Sequence, residues 1–231
     1  MRTTRSGRIQ AQLSGISVLT KRVEGVTVVG SEVMELEVFY DYLCPFVYRA
    51  SVMLQNVAPT RNLKVTWRYF SLAQVNSKDE GWTVWDAPSS ERVKGRLAFR
   101  AAEAARRQDQ FHALHMPLLI ARHRDRLDID QLEVVERVAV DSGLDLERFR
   151  KDVADPGILS SLARDHREAV SRLGVFGTPT IVFPDGASAY VRLAEIPEGA
   201  GAIRVFDRLL AVAAGEPTIL EIKRPLKPTL D

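Results

Sequence analysis

The 231-residue chain contains a single cysteine, Cys44. With no second thiol, an intramolecular disulfide, a thiolate zinc finger and a cysteine-held iron–sulfur cluster are all excluded. Glycine and proline number only 14 and 11, which excludes a collagenous or low-complexity chain. No apolar run reaches the ~20 residues needed to cross a bilayer, so no membrane partner is expected. The N-terminal arginines are not followed by an apolar stretch. No secretory signal is therefore read, and the cytoplasm is the expected location. An excess of one charge is also lacking. The net charge is +2, so no nucleic-acid partner is expected. The small excess lies in residues 1–33, where Arg2, Arg5, Arg8, Lys21 and Arg22 face only Glu24 and Glu32.

Hydrophobic residues make up 45% and charged residues 27%, the usual balance of a globular chain. This length can bury a core without disulfides or metal. Residues 1–33 show little period, with a short strand at 26–29; the leader is read as an extra strand or arm, or as an extension preceding a natural start at Met34. Glu35–Tyr40 reads as a strand entering the core. A helix follows from Pro45, whose missing N–H costs nothing in a first turn. Val47, Ser51, Leu54 and Ala58 share one face of it, and Pro59 is expected just past its end. Leu63–Tyr69 alternates apolar and polar, the mark of a half-buried strand.

A polar loop at 76–88 carries Trp82 and Trp85. Helical patterns are expected from Ser90 to Gly174, over about 90–108, 109–123 (with Pro117 inside), up to Gly143 from a capping box at Asp128 and Gln131, and from Asp145 to Val153. Asp155-Pro156 opens the last, and Gly174 stops it. Val175–Phe183 is a turn and strand, Ala189–Leu193 a candidate partner strand, and 200–214 a closing helix. The order is βαβ, a helical block, then ββα.

Cys44 falls between a buried strand and a helix start. Unpaired N–H groups and the helix dipole favour an anion there, so a cysteine in that position becomes a nucleophilic thiolate more readily. The alternative is a buried, inert cysteine. Gly177-Thr178-Pro179-Thr180 alone fits an ordinary trans turn. Beside a Cys-Pro helix start it points to a cis proline whose preceding backbone pairs with an extended substrate.

Phe39-Tyr-Asp-Tyr-Leu-Cys-Pro-Phe-Val47, the helical block and Gly174-Val-Phe-Gly-Thr-Pro-Thr-Ile-Val-Phe183 together resemble the DsbA-like branch of the thioredoxin superfamily. The resemblance covers about residues 34–214. It implies an α/β thioredoxin-like fold whose core (34–75 and 175–214) is split by a loop and helical insertion (76–174), between a leader (1–33) and a tail (215–231). It implies Cys44 as nucleophile, Pro45, Phe46 and Val47 as the rest of the active-site motif, and Thr178 and Pro179 as the substrate-binding element. One departure matters. Redox members carry Cys-x-x-Cys, and here the second position is Val47. An internal disulfide cannot form, but a mixed disulfide resolved by an external thiol can. The same branch includes kappa-class glutathione transferases and hydroxychromene-carboxylate isomerases, which use one Ser or Cys and bind glutathione.

Three functions follow from this. The first is a thiol–disulfide oxidoreductase working through one thiolate on a protein or small-molecule substrate. The second is a transferase or isomerase dependent on a glutathione-like thiol. The third is a non-catalytic binding module. No tightly bound cofactor is expected, only a low-molecular-weight thiol as cosubstrate. His112 and His115 have possible metal spacing but no third ligand, so no metal is expected. His166 reads as a satisfied core histidine, Trp82 and Trp85 as loop anchors, and Asp41 as orienting its loop. Arg92, Lys94, Arg96 and Arg100 read as a solvated helix face.

Overall fold

The computed structural model describes Thr20–Val23, Val26–Val29 and residues 32–224. The rest of the leader, and residues 225–231 of the tail, lie outside the described residues. Strands β1 (Thr20–Val23) and β2 (Val26–Val29) pair antiparallel as a two-stranded sheet, so the strand expected at 26–29 is present.

The core begins at β3 (Met34–Tyr40), followed by α1 (Pro45–Arg61) and β4 (Leu63–Tyr69). β3 and β4 pair in parallel along their whole length, as a βαβ crossover requires. The short helix α2 (Leu72–Val75) ends this half of the core, and the insertion holds α3 (Arg96–Arg106), α4 (Phe111–His123), α5 (Leu132–Asp141) and α6 (Leu146–Ala154), then a 3-10 turn (Pro156–Leu159) and α7 (Ser160–Leu173). β5 (Thr180–Val182), β6 (Ser188–Tyr190) and α8 (Gly199–Ala213) complete the chain. The sheet order is β4-β3-β5-β6, with β5 antiparallel to both neighbours. This is a thioredoxin-like α/β core with a helical insertion, as expected.

β3 alternates: Leu36, Val38 and Tyr40 face one way, while Glu35, Glu37 and Phe39 face the other, where only Phe39 is buried. Leu36, Val38 and Tyr40 enter the main core, where α1 and α8 pack on the sheet. Phe39 joins Phe70, Ala169 and Val175 in a second, smaller core under α7. The aromatic rings of Tyr40, Tyr42, Trp67, Tyr69 and Phe99 pack edge-on or tilted against one another where the core meets the insertion.

Several local expectations are corrected. Pro59 lies inside α1, not past it. Its missing N–H leaves the carbonyl of exposed Gln55 to solvent, while Asn62, left-handed at φ 47°, donates its N–H to Ala58 and closes the last turn. The first insertion helix starts at Arg96, not near 90, because Gly95 sits at φ 77° with the Leu43 side chain where a Cβ would go. Arg96 and Arg100 are not a solvated face. Buried Arg96 donates to the carbonyls of Ala87, Pro88 and Glu91, and Arg100 donates to those of Val153 and Asp155. The second hairpin strand ends at Tyr190, short of Leu193.

Candidate active site

β3 delivers the chain to a tight turn at its C-terminal edge. Cys44 donates its N–H to the Asp41 carbonyl (3.1 Å) and becomes the N-cap of α1 at φ −84°, ψ 115°, with Pro45 next. Buried Asp41 fixes the turn from inside: one carboxylate oxygen accepts from Leu43 N–H (2.8 Å), the other from Leu72 N–H (2.7 Å). The carboxylate thus ties the Cys44 loop to the segment after β4, the orienting task expected of it. His123 adds a second tie, its Nε2 lying 2.8 Å from the Tyr42 carbonyl.

The fold brings the two separated motifs together. The Cys44 thiol donates to the Thr178 carbonyl at 3.2 Å, across 134 residues of sequence. The Thr178–Pro179 peptide is cis. Pro179 accepts from Val191 N–H (3.0 Å), which extends the β5–β6 ladder to this point, and the Thr180 hydroxyl donates to Gly177 (2.8 Å). Thr178 is buried, and its hydroxyl has no hydrogen-bond partner among the described residues. Cys44 is 5% exposed and Val47 fully buried, while Phe46 is partly exposed beside them.

The rim also holds residues to which the sequence reading gives no role. Phe176 is 70% exposed and meets Tyr190 edge-on at 5.0 Å. Gly177 passes so close to the Tyr190 ring that an added Cβ would sit 3.1 Å from it. Arg49 donates to Leu193 and Ala194 carbonyls (2.7 and 2.8 Å), binding α1 to the loop after β6. Arg192 lies over the Phe46 ring, 4.2 Å from its centroid. In the register of β5 and β6, Arg192 sits as far after Thr180's partner Tyr190 as Thr178 sits before Thr180.

The histidines are structural. Buried His115 meets the Tyr42 hydroxyl through Nδ1 (3.1 Å), whereas His112 is exposed, so the pair does not converge as ligands. His166 accepts from Ser71 N–H through Nδ1 (3.1 Å), with Trp85 beside it at 5.5 Å. Trp82 anchors its loop through Nε1 to Glu91 (2.9 Å).

These buried groups make stability depend on pH. Burial, helped by Arg167, lowers His166 from 6.5 to about 4. Burial, with Arg106 and His112, holds His115 well below 6.5. Both protonate near their ordinary value once unfolded, so their contribution is full above about 6.5 and is lost as pH falls towards 4. Asp41 acts oppositely. Burial raises it from 3.8 to about 6 despite its two backbone hydrogen bonds, so its contribution is full below 3.8 and lost as pH rises through about 6. Burial also lowers His123 and raises Asp130, so three histidines stand against two aspartates, and the urea midpoint should fall as pH drops from about 6.5 to about 4.5. His166→Asn, whose amide oxygen can replace Nδ1 as the acceptor for Ser71, should flatten that fall. An unchanged slope in the variant would remove His166 as a cause.

The chain matches the family model for the DSBA-like thioredoxin domain over residues 35–207. An uncharacterized protein of Mycobacterium tuberculosis is 26% identical over 200 residues, covering 82% of this chain and 81% of that one. Among solved structures, one described as a probable DsbA oxidoreductase from Streptomyces coelicolor aligns with a TM-score of 0.57 at 23% identity, covering 82% of this chain and 94% of that one. The cytosolic disulfide reductase DsbM from Pseudomonas aeruginosa, solved with GSH, aligns with a TM-score of 0.55 at 19% identity, covering 76% and 98%. At those identities the two structures speak to the fold. Among the described residues no helix is long and apolar enough to cross a membrane.

Proposed function

The chain belongs to the DSBA-like thioredoxin domain family, and from that premise we propose that it is a thiol–disulfide oxidoreductase working through one cysteine. The observation that carries this reading is the 3.2 Å approach of the Cys44 thiol, at a helix start, to the Thr178 carbonyl beside the cis proline. The sulfur stands at the start of α1, where a disulfide would meet it, and the thiolate is the species that reacts in disulfide exchange. The backbone at Thr178 offers strand-like pairing to an extended substrate, which would lay a disulfide against the sulfur.

The chemistry has two displacements. The Cys44 thiolate attacks one sulfur of a disulfide R–S–S–R, forming Cys44–S–S–R and releasing RS⁻. A low-molecular-weight thiolate R′S⁻ then attacks the mixed disulfide, regenerating the Cys44 thiolate and releasing R–S–S–R′. With Val47 in the second motif position, that external thiol has no internal substitute. The reading places the protein in a reducing compartment, the cytoplasm, with the thiol as a cosubstrate and not as a tightly bound cofactor.

Intact-mass measurement after exposure to oxidised glutathione should show one half-disulfide adduct, located at Cys44 and removed by free thiol. No adduct under excess reagent would overturn the reading. Reversible glutathione binding without an adduct would instead favour a transferase or isomerase.

A further inference from the structure

We propose that Arg192 selects the small cosubstrate, favouring a thiol or disulfide that carries a carboxylate near its sulfur. The inference rests on the Cys44 reading above.

Its position follows from register. Thr180 pairs with Tyr190 across β5 and β6, and Val191 N–H donates to the Pro179 carbonyl (3.0 Å). The next step of the ladder sets Arg192 alongside Thr178, whose carbonyl lies 3.2 Å from the Cys44 sulfur. The guanidinium also lies 4.2 Å over the ring of Phe46, two residues beyond Cys44 in the first turn of α1. The ring contact, together with the register continued one pair past Thr180 and Tyr190, sets one cation beside the residues that flank the thiol.

Its chemistry is that of an anion receptor. Many of the protein's other arginines are spent on internal partners. Arg61 pairs with Asp207, Arg68 with Glu37 and Glu168, Arg107 with Asp155, and Arg150 with Glu136. Arg49 also lies over Phe46, at 5.4 Å, but its Nη1 donates to Leu193 and Ala194 and so positions the strand end that carries Arg192. Arg192 is exposed and makes no ion pair among the described residues. Stacking on an aromatic face uses a guanidinium's flat side and leaves its N–H edge free, and that edge matches a carboxylate bidentately. Asp41, three residues before Cys44, is buried and turned inward to Leu43 and Leu72, and exposed Glu195, three residues after Arg192, makes no ion pair with it among the described residues. Cysteine-derived thiols carry a carboxylate two carbons from the sulfur-bearing one or further along a short peptide, within reach of such a cation.

The test compares three small aliphatic disulfides: dithiodipropionate (anionic), hydroxyethyl disulfide (neutral) and cystamine (cationic). Second-order rate constants for Cys44 modification are read by mass at low and high salt. An exposed ion pair is worth up to ~1 kcal/mol, about fivefold in rate. Arg192→Gln should lower the anionic-to-neutral ratio by about that factor, and Arg192→Glu should lower it further while favouring cystamine. Arg192→Lys should restore part of the ratio, lacking only the fork geometry. The wild-type preference should weaken with salt. Equal losses for all three reagents would make Arg192 a packing residue, and an unchanged ratio would make it a bystander; either overturns the inference. If the wild type is inert to all three, the Cys44 reading falls, and this one with it.

Discussion

Val47→Cys should turn a chain that cannot hold an internal disulfide into one that does, and insulin reduction should rise roughly tenfold or more over the wild type. Val47 donates its N–H to the Cys44 carbonyl (3.1 Å), so the two residues are joined by the first turn of α1. Residues three apart on a helix place their Cβ atoms ~5–6 Å apart, and a small rotation brings them to the ~3.5–4.5 Å that a disulfide needs. The substitution is mild for the core: fully buried Val47 loses little volume, and the expected destabilisation is about 1 kcal/mol. Once the second thiol is present, it attacks the mixed disulfide from within and no external thiol is needed to release product. Non-reducing mass analysis should show an oxidised monomer lighter by two hydrogen atoms. A variant that oxidises only between molecules would mean that position 47 does not face the sulfur.

What was legible in the sequence was what depends on local chemistry. The ELEVFY run, the alternation of Leu63–Tyr69 and the Pro after Cys44 each determine their element within a few residues, and all three appear in the fold. The pairing of Cys44 with Thr178 depended on two motifs read together, since neither alone specifies a partner 134 residues away. What failed depends on tertiary contact. Arg96 looks like a surface arginine until the loop before α3 folds back and offers it three carbonyls. Gly95 looks tolerable inside a helix until Leu43 claims its side-chain space. Arg192 carries no periodic or motif signal, and Phe176 lies within the Gly174–Phe183 segment without a role read for it, because rim residues on loops answer to the ligand and not to the core.

Cys44→Ser should abolish adduct formation and disulfide exchange while leaving the melting temperature within a few degrees of the wild type. The two effects separate for a physical reason. A serine hydroxyl supplies no thiolate, so neither displacement can begin. Serine is nevertheless a good residue for that backbone: the Cys44 side chain makes no cap hydrogen bond to α1, and Ser is among the preferred N-caps, worth about 0.5–2 kcal/mol over Ala. The hydroxyl can still donate towards the Thr178 carbonyl, replacing the S–H contact of 3.2 Å. Loss of activity therefore cannot be put down to unfolding, and Cys44→Ala gives the control, with the same chemical loss and no cap gain. Iodoacetamide completes the test from the other side. It should modify Cys44 in the native protein despite its 5% exposure, because the sulfur lies at the start of α1 next to exposed Pro45 and partly exposed Phe46. Exchange that persists in Cys44→Ser would sink the thiolate mechanism. A cysteine that reacts with iodoacetamide only after denaturation would make Cys44 a packing residue of the core instead.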